Sequence, residues 1–285
     1  MASDGSVGRR LFLAGMGSAA LVPHGAAALD LPPANAGHVQ LTRERVLNQK
    51  DIPVYGFRVV NTYPHGASSY TEGLALDGGT MYESVGRWGY SALLHYELKT
   101  GRIIASAKLP DTDFAEGIAV VGDRIFQLTY LSNRGIIYDR ATLKIRGNFR
   151  YREQGWGMCH DGRHVVMSNG SSSILFLDPK TMAPLRNIFV TDKVGPVGFL
   201  NSLAHHRGTI FANVWTTDFI AMIDAKSGAV TGWIDLEGLN PDPAQLKYPY
   251  VLNGVAVEPG SGNLLVTGKC WPSIWEVALV RKVVG

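Results

Sequence analysis

The sequence predicts an all-β chain built from five copies of one short-stranded unit, and three observations predict it. No long stretch has a 3.6-residue apolar period; short runs of Val, Ile, Leu, Phe and Tyr are broken by Gly, Asn and Asp instead. A short motif recurs at a near-constant period. One strand at the front has no unit of its own, and the last copy ends one strand short.

The front of the chain reads as a targeting segment. Arg9-Arg10, the apolar run Leu11–Met16 and Ala26-Ala27-Ala28 fit a bacterial twin-arginine export signal over residues 1–28. Pro23 and His24 interrupt a stretch already too short to span a bilayer. Residues 29–49 are expected as a loose leader across the surface. The domain proper is expected over 50–285, in a periplasmic or secreted monomer with no stable membrane insertion once the signal is cut.

The repeats begin with Tyr70-Thr71-Glu72-Gly73-Leu74, Phe114-Ala115-Glu116-Gly117-Ile118, Gly155-Trp156-Gly157-Met158, Leu200-Asn201-Ser202-Leu203 and Leu252-Asn253-Gly254-Val255. The shared position steps through Glu72, Glu116, Trp156, Asn201 and Asn253, at separations of 44, 40, 45 and 52 residues. Third strands are expected at Ala92–Leu98, Ile136–Asp139, Ile174–Asp178, Ile220–Asp224 and Ile274–Val277. Asp-x-x-Thr or Asp-x-x-Ser-Gly turns follow at Asp139, Asp178 and Asp224. Four strands every 40–50 residues is the period of a β-propeller blade. The fold class is therefore a five-bladed β-propeller. The leftover strand Val54–Thr62 would supply the missing outer strand of the fifth blade and close the ring. A β-sandwich would explain neither the period nor that strand.

Composition is ordinary for a folded domain, 46% hydrophobic and 18% charged with net charge +3, and no long basic run makes a case for nucleic acid. Cys159 and Cys270 fall in blades separated by a whole blade, so two buried thiols are expected and not a disulfide. No cofactor or metal is expected. There is no His-Glu-x-x-His and no paired-Cys spacing, and His205-His206 are adjacent.

The first strand of each blade lines the channel of a propeller, so the five shared residues should meet at one mouth. A second ring at the ends of the second strands should add Tyr130, Asn169, Trp215 and Lys269, with Gly86 and Arg87 at the first blade. Tyr70, Phe114, Tyr130, Trp156, Trp215 and Trp271 would make that mouth apolar, with Trp271 the first to be assigned to core packing instead. Burying two carboxylates there is costly without a purpose or a partner.

In this order and spacing, Tyr-Thr-Glu-Gly-Leu, Phe-Ala-Glu-Gly-Ile, Gly-Trp-Gly, Ala-Asn-Val-Trp, Val-Leu-Asn-Gly and Gly-Lys-x-Trp-Pro resemble the plant- and bacterial-type glutaminyl-peptide cyclotransferase family, over residues 55 to 280. The resemblance implies a transferase that closes N-terminal glutamine of peptides into pyroglutamate and releases ammonia. It implies Glu116 as the essential acid, Asn201 and Lys269 as a polar pair in catalysis, and Phe114, Trp156 and Trp215 as pocket aromatics. Tyr70 stands where the family has Phe, Glu72 where it has Gln, Tyr130 where it has Trp, and Ser202 where it has an acidic residue. Tyr70, Glu72 and Tyr130 complete the expected substrate-binding set. Two other functions remain open: a non-catalytic propeller that binds a peptide or protein, and a metal-dependent propeller hydrolase or lactonase.

Overall fold

The computed structural model describes residues 40–240, 242 and 248–282; the expected export signal and most of the leader lie outside them. The described residues form strands almost throughout, with one short helix, and belong to one compact unit. Among them no helix is long and apolar enough to cross a membrane.

Strand β1 (Val54–Pro64) comes first. Then β2 (Thr71–Asp77), β3 (Thr80–Val85), β4 (Ala92–Glu97) and β5 (Ile103–Lys108) form a four-stranded antiparallel sheet in chain order. A second such sheet holds β6 (Ala115–Val121), β7 (Arg124–Thr129), β8 (Arg134–Asp139) and β9 (Ile145–Arg150). A third holds β10 (Met158–His160), β11 (Val165–Ser168), β12 (Ser173–Leu177) and β13 (Pro184–Phe189). The remaining strands, β14 (Leu200–His206), β15 (Thr209–Val214), β16 (Phe219–Asp224), β17 (Val230–Asp235), β18 (Leu252–Val257), β19 (Leu264–Gly268) and β20 (Ser273–Arg281), join β1 in one eight-stranded sheet. Its order is β14-β15-β16-β17-β1-β20-β19-β18.

Local chemistry explains the turns. Between third and fourth strands, Asp139 Oδ1 accepts the Thr142 N–H at 2.9 Å, Asp178 Oδ1 that of Thr181 at 2.8 Å, and Asp224 Oδ1 that of Ser227 at 2.8 Å. Each aspartate closes its own turn and fixes the register of the strand that follows. The apolar core lies between successive sets of strands. One cluster joins Tyr82 and Leu93 to Ile118 and Ile136, and the next joins Phe126 and Leu128 to Met158 and Met167. The last packs Leu74 and Met81 against Leu265 and Ile274 of the final strands.

The leftover strand behaves as expected in its pairing. β1 runs antiparallel to β20 from Tyr55 opposite Arg281 to Pro64 opposite Ser273, and touches β17 in parallel only at Val54 and Tyr55. The segment before it differs from the loose leader expected. Helix α1 (Arg43–Leu47) is docked: Val46 is fully buried, Arg45 forks onto Asp192 at 2.7 and 3.0 Å, and Arg43 pairs with Asp235. Two arginines with buried carboxylate partners hold part of the segment expected as a loose leader. Cys159 and Cys270 are free thiols, Cys159 buried and Cys270 only half-buried.

Candidate functional site

Five strands lie side by side in a closed cycle, β2 to β6, β6 to β10, β10 to β14, β14 to β18 and β18 back to β2. Their backbones approach so closely that a Cβ at Gly117 would strike Met158 N and Gly157, and one at Gly157 would strike Asn201 O. Glycine is needed there because any side chain would push the strands apart.

Glu72, Glu116, Asn201 and Asn253 each stand second in their strand, and all four are buried. Each is also skipped by the ladder. Register shifts fall between Thr71 and Gly73, Ala115 and Ile118, Leu200 and Leu203, and Leu252 and Val255. A bulge re-aims the residue it leaves unpaired, and here the same irregularity recurs at all four of these buried polar residues. Trp156, also buried, stands two residues before β10.

The second ring is equally regular. The N–H groups of Gly86, Tyr130, Trp215 and Lys269, each directly after a second strand, donate to the carbonyls of Tyr70, Phe114, Phe199 and Val251 at 2.8–2.9 Å. These acceptors stand two residues before the shared position, so the backbone bond places one residue of each ring beside the other. Asn169 also follows its strand, and its side-chain Nδ2 donates to the Glu153 carboxylate.

The polar centre is asymmetric. Lys269 Nζ donates to Glu72 Oε1 at 2.6 Å, and Asn253 Nδ2 donates to Glu72 Oε2 at 2.9 Å and to the Thr71 carbonyl at 3.0 Å. Both Glu72 oxygens are thus engaged. Glu116 Oε2 and Asn201 Oδ1 are buried with no hydrogen-bond partner among the described residues. Burial pushes the Glu116 carboxyl well above the usual carboxylate range, and the Glu72 charge adds to the rise against the pull of Lys269. Burial also raises Glu72, opposed by Lys269 and Asn253.

Aromatic rings enclose these groups. Phe114 meets Tyr70 edge-on at 6.2 Å and Tyr130 at 6.1 Å, while Trp156 meets Trp215 edge-on at 5.6 Å. Lys269 Nζ lies 4.4 Å from the Tyr70 ring centre, a cation–π contact. Burial, helped by the Glu116 charge, pushes the Tyr130 hydroxyl up to about 12, so it stays a neutral donor. Every sequence-derived candidate — Tyr70, Glu72, Phe114, Glu116, Tyr130, Trp156, Asn201, Trp215 and Lys269 — falls on one of these two rings or directly beside them. Trp271 does not. It is buried in core, its indole N–H donating to the Tyr250 carbonyl at 3.0 Å.

Three aromatic neighbours escape the sequence reading. Phe199 lies 6.4 Å and Tyr248 6.3 Å from Trp215, and Trp88 lies 5.6 Å from Phe114. Phe199 could have been found, since it holds the position of Tyr70 and Phe114 two residues before the shared site. Trp88 and Tyr248 come from connecting segments and leave no periodic signal. For metals, no group of three or more His, Cys, Asp or Glu side chains among the described residues is arranged to hold an ion.

Comparison with known proteins places the chain in a family. The family model for glutamine cyclotransferases matches residues 34–279. A glutaminyl-peptide cyclotransferase of Arabidopsis thaliana is 35% identical over 227 residues, covering 78% of this chain and 70% of that protein. The crystal structure of Myxococcus xanthus glutaminyl cyclase superposes with a TM-score of 0.76 at 32% identity, covering 81% of this chain and all of the other. With a family model matched over residues 34–279 and a relative 35% identical across most of its length, the chain is a transferase of the glutamine cyclotransferase family.

Proposed function

We propose that the five four-stranded sets are the blades of a five-bladed propeller, and that its mouth cyclises N-terminal glutamine of peptides to pyroglutamate with release of ammonia. The observation that supports this best is Glu116, a buried carboxyl with a raised pKa and one oxygen without a hydrogen-bond partner among the described residues, on a strand whose next residue, Gly117, donates its N–H to the Trp156 carbonyl at 2.7 Å. A carboxyl in that condition suits proton transfer near neutral pH.

In this reading the glutamine side chain folds back against Trp156 and Trp215, bringing its α-amine onto its own γ-amide carbon. Tethering supplies much of the rate, because nucleophile and electrophile need only be oriented. Ionised Glu116 takes a proton from the amine as the C–N bond forms and returns it to the γ-nitrogen, which leaves as ammonia. Asn201 offers a donor to the carbonyl oxygen and an acceptor to the N–H groups, and Lys269 stabilises the oxyanion. Glu72, with both oxygens engaged, neutralises and holds Lys269 at the substrate site. No metal enters the scheme. Residues 1–28 are read as an export signal that sends the domain to the periplasm or outside the cell.

The test is ammonia release from Gln-Gly and Asn-Gly, with and without EDTA. Release from the glutamine peptide alone, unchanged by EDTA, is expected. Loss of activity with EDTA and its return with zinc or calcium would overturn the metal-free scheme.

A further inference from the structure

The glutamine site leaves the rest of a substrate unaccounted for, and the fold offers a place for it. A cleft of about 540 Å³ lies on the third sheet, lined at its inner end by Gln154 and Asn169. That end adjoins the site: the Trp156 indole N–H donates to Gln154 Oε1 at 3.1 Å, and Asn169 follows β11 as Tyr130 follows β7. From there the cleft runs outward along one face of the β12–β13 ladder. Ser173 stands opposite Phe189 and Leu175 opposite Asn187. Alternate residues of a strand share a face, so these four side chains form one row, while Ile174, Phe176 and Ile188 turn into the core. Phe189 is 64% exposed, a large aromatic left open at the outer end.

Resting on the reading above, we infer that this cleft binds the residues that follow the N-terminal glutamine of a peptide substrate and prefers an apolar side chain among them. A peptide that leaves the mouth past Trp156 meets the cleft directly, because Gln154, bonded to Trp156, lines it. Ser171, Ser173 and Asn187 supply neutral donors and acceptors suited to an extended backbone, and Leu175 and Phe189 supply the apolar contact. Glu153 is the acidic group of the lining, and it accepts the Asn169 amide. At roughly 3.3–3.6 Å per extended residue, such a row spans a few positions.

The experiment measures kcat/KM for Gln-Gly, for a glutamine pentapeptide otherwise of glycine, and for three pentapeptides with one leucine at position three, four or five. At least one leucine position should gain about tenfold, expressed in KM, the low end for an apolar contact in a pocket. Phe189→Ser, at an exposed position, and Ser173→Trp, which fills the cleft, should each abolish that gain and leave Gln-Gly turnover unchanged. No preference for leucine, or a preference that survives both substitutions, overturns the cleft while the cyclisation reading stands. No ammonia from Gln-Gly overturns that reading, and the cleft as a substrate subsite with it.

Discussion

Lys269 and Glu72 form a buried ion pair, Nζ to Oε1 at 2.6 Å, in a site where the second carboxylate, Glu116, has no such partner among the described residues. Removing one member of a buried pair strands the other. Lys269→Met should therefore cost about 3–5 kcal/mol of stability. The double variant Glu72→Gln/Lys269→Met should recover most of it, with ammonia release staying low. Urea melts and turnover of all three proteins separate the two effects, and equal instability of single and double variants would refute the pairing.

Glu72→Gln alone should stay active. The substitution keeps an oxygen for Lys269 and removes the negative charge that holds the Glu116 proton. The acidic limb of kcat/KM against pH should then move to lower pH, since Glu116 ionises more readily. An unmoved limb would show that the two carboxylates titrate independently.

Glu116→Gln should fold normally and lose on the order of 10²–10⁴ in kcat. It should also change the pH dependence of stability. Because the Glu116 pKa is raised on folding, stability from this group is complete below the ordinary carboxylate value of 4.5 and declines as pH climbs toward the folded value. The slope reaches about 1.4 kcal/mol per pH unit. The variant lacks that decline, so its Tm relative to the parent should rise as pH climbs above the ordinary carboxylate value.

Trp215→Ala and Trp233→Ala should fail differently. Trp215 is half-buried against Trp156, so its loss should raise KM with little change in Tm. Trp233 is fully buried on β17 beside Phe219, and truncating it should cost about 3–5 kcal/mol. Thermal melts and dipeptide kinetics on both proteins decide this. A lowered Tm for Trp215→Ala with unchanged KM would remove it from the pocket.

The all-β class, the spacing of the first strands and the pairing partner of Val54–Thr62 were legible because repetition writes the same pattern five times. Glu72 and Glu116 were legible for the same reason, since two acids recur at one position of an otherwise apolar motif. The bulges that turn them inward were not, because a one-residue slip in pairing leaves no mark on composition. Nor was the docking of α1, which depends on Arg43 and Arg45 meeting Asp235 and Asp192 almost 150 residues or more away. Periodicity records neighbours within a unit and is silent on side chains that meet across the chain.

The antiparallel pairing of β1 with β20 sets a schedule for making the molecule. The earlier strand is synthesised about 200 residues before its partner, and at roughly 5–20 residues per second it waits about 10–40 s for that neighbour. Length itself costs little, since each doubling of a closed loop adds only about 0.6 kcal/mol. Delay is the hazard, because an unpaired strand edge invites pairing with another chain. A ribosome that stops before Ser273 releases a protein whose two candidate carboxylates are both present but whose β1 has no antiparallel mate. Truncation at that end should therefore show first as aggregation.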